Sequence, residues 1–415
     1  MEEPNKPLTL INTKLKPPRI TGDLVPRSHL TKRLNEGLNR KLTLVCAPAG
    51  YGKTTLLCQW LAEFKYQAAW LSLDENDNNI EVFLSYLVHS LQTILPGAGQ
   101  ATLRLLEAPQ KPPLDHVAGT LINELAELDK PFVLILDDYH SIYDSEIHQL
   151  LDALISYMPP EMHLILASRR DFPLPVVRLR IGRELTEVRV LDLRFSHSEI
   201  ETYLDQATGK NLNREIIAVL EERTEGWVAA LRLAAVAMRG EIDHERFVHS
   251  FKGSHRDLMN YLIDEVLSQQ SEDVQAFLLK TSILDRFCAP LAEVVSADTT
   301  NKSREIIERL EQANLFVIPL DQEHTWYRYH HMFREMLSHR LQAELGQVEL
   351  QTIHNDASAW FNQHGFIDDA IRHAIAADNE SGAAAIIDSH RHEFLDRSNW
   401  RQMERWLNLV PAGFI

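Results

Sequence analysis

Residues 46–55 read CAPAGYGKTT, and whether this stretch is a phosphate-binding loop decides the fold. The usual pattern is G-x-x-x-x-G-K-[ST]. Gly52, Lys53 and Thr54 fill its last three places, and Ala47 stands where the first glycine is expected. That place needs a small residue for a tight turn. Alanine adds one methyl group, which is tolerated where φ is negative. The flanks supply the context. LTLVCA (42–47) is a short apolar, β-rich run, and TTLLCQWLAEF (54–64) spaces Leu56, Leu57, Trp60 and Leu61 as a helix does. Between a buried strand and an amphipathic helix, the backbone N–H groups of Ala49, Gly50, Tyr51 and Gly52 and the helix N-terminus point at β- and γ-phosphates. Lys53 then neutralises phosphate charge, and the Thr54 hydroxyl ligates Mg²⁺.

Working outward, strand and helix signals alternate. AAWLSL (68–73) is a second strand and IEVFLSYLVHSLQTIL (80–95) a helix. PFVLILDD (131–138) is apolar throughout its strand and therefore buried on both faces. HLILASRR (163–170) is a fourth strand, and a fifth is expected over LTEVRVLDL (185–193). Helices between nearly every pair imply an α/β fold with a parallel sheet. The third strand ends in Asp137 and Asp138, at the edge where ligand chemistry collects in open α/β sheets. Asp137 is read as holding Mg²⁺ through its water shell, and Asp138 as orienting or deprotonating an attacking water. The bland alternative is a strand leaving the core through acidic residues. The fourth strand ends in Ser168, Arg169 and Arg170. Arg169, nearer the strand end, is the candidate phosphate sensor, against a reading of both arginines as solvated.

The second half is helical. FSHSEIETYLDQAT (195–208) opens with a capping box, Ser196 and Glu199. Two helices follow over 215–238 with a break at Gly226, and 257–284 again carries helical spacing. LFVIPLDQEHTWYRYHHMF reads as a β-hairpin returning to a helix, which suits a winged-helix fold. The tail sets Trp360 and Phe361 against Ala370, Ala374 and Ala376 around Gly365, a helical hairpin like one unit of a solenoid. A second pair is expected in HRHEFLDRSNWRQMERWLNLVP. Such units rarely stand alone, and the chain ends in the apolar LVPAGFI, so it is expected to be a piece of a longer protein. The domain reading is a P-loop nucleotide-binding domain at 1–193, a helical domain at 194–253, a winged helix at 254–345 and a helical arm or TPR-like start at 346–415.

Composition narrows the function. The 415 residues carry 42 Lys and Arg against 59 Asp and Glu, a formal charge of −17, which disfavours binding DNA or RNA over a broad face. There is no signal peptide in MEEPNKPLTLINTK and no apolar run long enough for a membrane span. Cys46, Cys58 and Cys288 stand singly, as buried thiols in a reducing cytoplasm do. His330 and His331 lie where the hairpin becomes a helix. On the residues alone, ordinary interface histidines are the first reading, and no metal-ligand spacing accompanies them.

TKLKPPR, LVPRSHL, APAGYGKTTLL, WLSLDENDNN, LILDDYH, ASRRDFPLP, GWVAALRLAA and RYHHMFRE occur here in order. Together they resemble the MalT-type branch of the STAND ATPases, the large ATP-binding regulators of the LuxR class, over nearly the whole chain. In that branch the loop resembles A/S-P-A-G-Y-G-K-T, which accounts for Ala47. The resemblance implies an AAA+/STAND-type P-loop NTPase domain followed by helical, winged-helix and helical-repeat domains. It implies a switch: ADP holds a closed monomer, and an inducer plus ATP opens it into a homo-oligomer, with slow hydrolysis as reset. Val25 and Arg27 would lie near the adenine, Lys53, Thr54 and Thr55 would hold phosphates and Mg²⁺, and Asp137, Asp138 and Arg169 would match the metal, catalytic and sensing groups. His330 would be the winged-helix histidine that touches ADP. The family's Gly-x-Pro motif is Gly226-Trp227-Val228 here, without the proline. DNA would be contacted only through a C-terminal helix-turn-helix absent from this chain. Two alternatives stand beside this: a scaffold of the same fold that signals to something other than DNA, such as a kinase, and a metabolic P-loop ATPase or kinase.

Overall fold

A computed structural model describes residues 10–20, 24–64, 67–171, 174, 176–209, 212–238, 256–298, 302–396 and 406. The chain forms two compact units, Met1–His244 and Glu245–Ile415.

The first unit is built on five parallel strands: β1 (Leu42–Cys46), β2 (Gln67–Ser72), β3 (Phe132–Asp137), β4 (Met162–Ser168) and β5 (Leu185–Val188), in the order β2-β3-β4-β1-β5. β1, β3 and β4 are buried along their whole length, which is why their sequences are mostly apolar; the buried polar Thr43 of β1 and His163 of β4 hydrogen-bond each other at 2.9 Å. Their side chains pack with those of α3 (Ile80–Gln92), α5 (Leu114–Ala126) and α6 (Ser145–Ser156): Leu44, Leu134 and Leu164 share one core with Phe83, Leu121 and Leu150. Each such side chain contributes about 1.5–3 kcal/mol by leaving water. The TKLKPPR stretch is tied to this core by Lys14, whose ammonium meets the Asp77 carboxylate at 2.6 Å.

The fifth strand is shorter than its sequence suggests. It stops at Val188, and Val190–Leu193 form a helical turn. The Arg189 N–H donates to the Asp192 carboxylate at 2.8 Å, a local bond that competes with the sheet ladder. The expected capping box follows: the Ser196 N–H donates to Glu199 at 2.8 Å, opening α9 (His197–Thr208). Helices α10 (Arg214–Thr224) and α11 (Val228–Met238) are separated at Gly226, whose φ of 71° lies in the left-handed region. A Cβ there would sit 2.5 Å from the Phe195 carbonyl oxygen, so both conformation and space demand glycine.

In the second unit α12 (Arg256–Leu262) runs into a π-helical turn, Ile263–Leu267, followed by α13 (Glu272–Thr281), α14 (Ala289–Ser296) and α15 (Ser303–Gln312). The expected hairpin is present as antiparallel β6 (Val317–Pro319) and β7 (Tyr327–Tyr329), leading into α16 (His331–Glu344). Its centre is aromatic, with Phe287 4.7 Å from Tyr329 between ring centroids. Next come α17 (Gln347–Gln363), α18 (Ile367–Ala376) and α19 (Glu380–Asp396). The α17–α18 hairpin turns at Gly365, with φ 79°, and buries Trp360, Phe361, Ala370 and Ala374. Ala376 is exposed, and Ala377 takes the buried place because the stripe runs through 370, 374 and 377. The second helical pair expected over 390–411 lies mostly outside the described residues.

Candidate functional site

The sheet order places the ends of β1 and β3 on either side of β4, so their loops share one edge. After β1 the chain turns through Gly50 (φ 76°) and Gly52 (φ 79°), and Gly52 caps α2 (Lys53–Glu63). Ala49 and Tyr51 are buried, whereas Thr54 and Thr55 are half-buried in the first turn. Lys53 lies across the loop, and its ammonium donates to the carbonyls of Ala47 at 2.8 Å and Pro48 at 3.0 Å. Burial pulls its pKa down to about 8, against the raising effect of Asp138. The Thr54 hydroxyl donates to the Asp137 carboxylate at 2.9 Å.

Asp137 is 2% exposed, and burial, then the neighbouring Asp138, raises its pKa to about 6. Asp138 has a φ of 57°, an uncommon conformation that an aspartate tolerates better than most residues. Its carboxylate is thereby turned out of the strand and remains about half exposed, 44%. Arg169, half-buried at the end of β4, is close enough to lower the pKa of both Lys53 and His140. Arg170 instead donates to the His140 carbonyl at 2.9 Å.

Two residues of this neighbourhood went unselected in the sequence reading. His140 lies 3.8 Å from the Asp138 carboxylate. Burial, then Arg169, holds its pKa down to about 3, and its Nδ1 is closed off from solvent without a hydrogen-bond partner among the described atoms. Its position three residues after Asp137 in LILDDYH was the available signal. Trp227 is fully buried and donates its indole N–H to the Ala49 carbonyl at 3.0 Å. No local pattern announces that contact.

Val25 is buried, and its carbonyl accepts from the Gln59 amide at 3.1 Å. The Arg27 guanidinium donates to Glu199 at 3.0 Å and to the carbonyls of Leu193, Asp192 and Arg194, so it joins the segment before α1 (Ser28–Gly37) to the start of α9. A cavity of about 630 Å³ lies beside this segment, lined by Pro18, Leu24, Arg27, Cys58 and Gln59 among others and by none of residues 46–55. His330 belongs to the second unit, where it precedes α16, is 1% exposed and sits edge-on to Phe316 at 5.7 Å. His331 is more exposed and lies 3.4 Å from Glu335. All three cysteines are buried free thiols. Among the described residues no helix is long and apolar enough to cross a membrane, and no cluster of three or more His, Cys, Asp or Glu could hold a metal ion.

Comparison with known proteins gives this geometry a family context. Residues 263–349 match the MalT winged helix domain. The serine/threonine-protein kinase PknK of Mycobacterium tuberculosis is 33% identical over 406 residues, which are 97% of this chain and 36% of the kinase. The HTH-type transcriptional regulator MalT of Yersinia enterocolitica is 32% identical over 410 residues, 98% of this chain and 45% of the regulator. The chain thus spans less than half the length of these relatives. Among solved structures, a Walker-type ATPase of Pyrococcus abyssi superposes with a TM-score of 0.52 at 16% identity, covering 76% of this chain and 96% of that one. The fold is that of a P-loop NTPase followed by helical and winged-helix parts, and nearly the whole chain is similar in sequence to both MalT and PknK.

Proposed function

We propose that the chain is an adenine-nucleotide switch: ATP and ADP bind at the β1–α2 loop, and slow hydrolysis resets it. The observation that carries this is the cluster at one sheet edge. There Lys53 lies across the loop, and Thr54 is hydrogen-bonded to Asp137 at 2.9 Å. A buried ammonium at a helix N-terminus is costly unless it meets an anion, and loop and helix together form an anion site. Mg²⁺ fits the pair Thr54 and Asp137, a hydroxyl and a carboxylate. Such an ion takes hard oxygen ligands, one or two from protein and the rest from phosphate and water, which explains why no cluster of three is needed. When bound it neutralises charge on the phosphates.

The remaining roles are those that the resemblance to STAND ATPases suggests. Ala49, Gly50, Tyr51, Gly52 and Thr55 line the loop and its first helical turn, and their backbone holds the phosphates. Asp138, turned out of the strand, orients or deprotonates the attacking water. Arg169 senses the γ-phosphate and stabilises the charge that develops in transfer. Val25 and Arg27 border the base end. With the Arg27 guanidinium donating to Glu199 and three carbonyls, its part there is to fix the segment. His330 contacts ADP in the closed state. In this reading ADP keeps a closed cytoplasmic monomer, and an inducer with ATP gives a homo-oligomer that controls transcription. DNA enters only through a domain outside these 415 residues. Such a switch is a two-state equilibrium biased by differential contacts.

The similarity to PknK favours a second reading of the output: the same switch coupled to protein phosphorylation. Calorimetric titration with ADP and with ATP tests the common core: binding of both at one site per chain is expected, and binding of neither would contradict it. ADP release from His330→Ala and His331→Ala tests the clamp. Faster release from His330→Ala alone is expected, and the effect in His331→Ala alone would contradict the assignment.

A further inference from the structure

The Gly226-Trp227-Val228 triplet stands where the resembling family has Gly-x-Pro, and the absence of a proline leaves its function open. Two hydrogen bonds join this triplet and the residue that follows it to the phosphate loop. The Trp227 indole N–H donates to the Ala49 carbonyl at 3.0 Å, and the Ala229 N–H donates to the Gly50 carbonyl at 3.1 Å. The Tyr51 ring lies 6.4 Å from the Trp227 ring, tilted by 33°. In a trans peptide the C=O and N–H point in opposite directions. With the carbonyls of Ala49 and Gly50 bound on the α11 side, the N–H groups of Gly50 and Tyr51 point away from it.

Trp227 is itself held from behind. The Phe195 N–H donates to the Gly226 carbonyl at 2.9 Å, and the left-handed Gly226 allows that close approach. The Arg27 guanidinium lies 5.0 Å from the Phe195 ring centroid. The loop is therefore hydrogen-bonded to a braced tryptophan.

We propose that Trp227 is a positioning residue of the phosphate loop, and that through it the helices α9–α11 respond to the phosphate end of the nucleotide rather than to its base. This rests on the nucleotide reading of the site. A bound diphosphate fixes the peptides 49–51, and those peptides carry the acceptors for Trp227 and Ala229. Each neutral hydrogen bond of this kind is worth about 1 kcal/mol net, so losing one weakens binding roughly fivefold.

The test compares ADP with inosine diphosphate, which keeps the phosphates and alters the base. Trp227→Phe keeps an aromatic ring and removes the N–H donor. Both ligands are expected to weaken by the same factor, roughly fivefold. Unchanged affinity, or weakening of ADP alone, overturns the proposal. Amide hydrogen exchange on the wild-type chain gives a variant-free reading. Exchange at Ala229 is expected to slow with ADP and also with inorganic pyrophosphate alone. Slowing with ADP but not with pyrophosphate, or with neither, overturns it. If the wild-type chain binds no nucleotide at all, the site reading itself falls and this proposal with it.

Discussion

The two compact units treat charge differently. The first buries ions: Lys53 and Asp137 are 6% and 2% exposed at one sheet edge, and Arg27 meets Glu199 nearby, also buried. Both units bury aromatic rings, Trp60 and Phe83 in the first and Phe287 and Tyr329 in the second, but among the described residues the second unit's ion pairs each keep a partner near water, as Asp285 with Arg372 and Arg286 with Asp369 do. Buried charge costs stability unless something is gained from it. Both units are packed around apolar cores, but only the first sets buried ions beside its candidate site, and substitutions should separate them accordingly.

The largest expected effect is on Lys53→Ala, which should weaken ADP and ATP binding by at least about a hundredfold. Its melting temperature without nucleotide should stay near that of the wild type, because a desolvated ammonium is removed. Calorimetric titration and scanning calorimetry measure the two. Unchanged affinity would remove the phosphate-loop assignment. Asp138→Asn should keep ADP affinity within about threefold and lower turnover by at least about a hundredfold, the ordinary weight of a positioned acid–base group. Phosphate release measures it, and an equal loss of binding would mean that Asp138 is a ligand and not a catalytic group.

Gly226→Ala sharpens the comparison without touching the second unit. A left-handed alanine with its Cβ 2.5 Å from the Phe195 oxygen should destabilise the first unit by about 3 kcal/mol. Hydrogen exchange resolved by segment should show this in 24–238 and not in 256–396. A smaller, shared effect is pH-linked. Burial holds His163 in the first unit and His373 in the second near pKa 4, and His354 adds to the lowering of His373. Both lie below the unfolded value of about 6.5, so the unfolded chain binds more protons and stability falls with falling pH. Each group's contribution is fully present above about pH 6.5 and is lost between there and 4, with about 2 kcal/mol already lost at pH 5. Denaturant melts from pH 7 to 5 should show both units weakening. His163→Gln should flatten only the first.

Much of the first unit was legible because strands buried on both faces are written as mostly apolar runs, and because Gly52, Lys53 and Thr54 act through neighbours in sequence. The end of β5 was not, since VRVLDL suits a strand or a helical turn equally, and one bond from Arg189 to Asp192 decides. The arm hairpin was read correctly in outline and missed by one residue at Ala376, where only helix phase separates a buried alanine from an exposed one. Trp227 and Arg27 were beyond reach for another reason. Their partners are 178 and 172 residues away in the chain, and no periodicity encodes which carbonyl an indole will meet.

In the proposed switch the first unit holds an adenine nucleotide through the β1–α2 loop. Denaturing the purified chain without added ligand and separating the released small molecules by chromatography tests it most directly, with Lys53→Ala run in parallel. Close to one ADP per wild-type chain is expected, and none from the variant. A wild-type chain that releases no nucleotide and takes up none when ADP or ATP is supplied would contradict it.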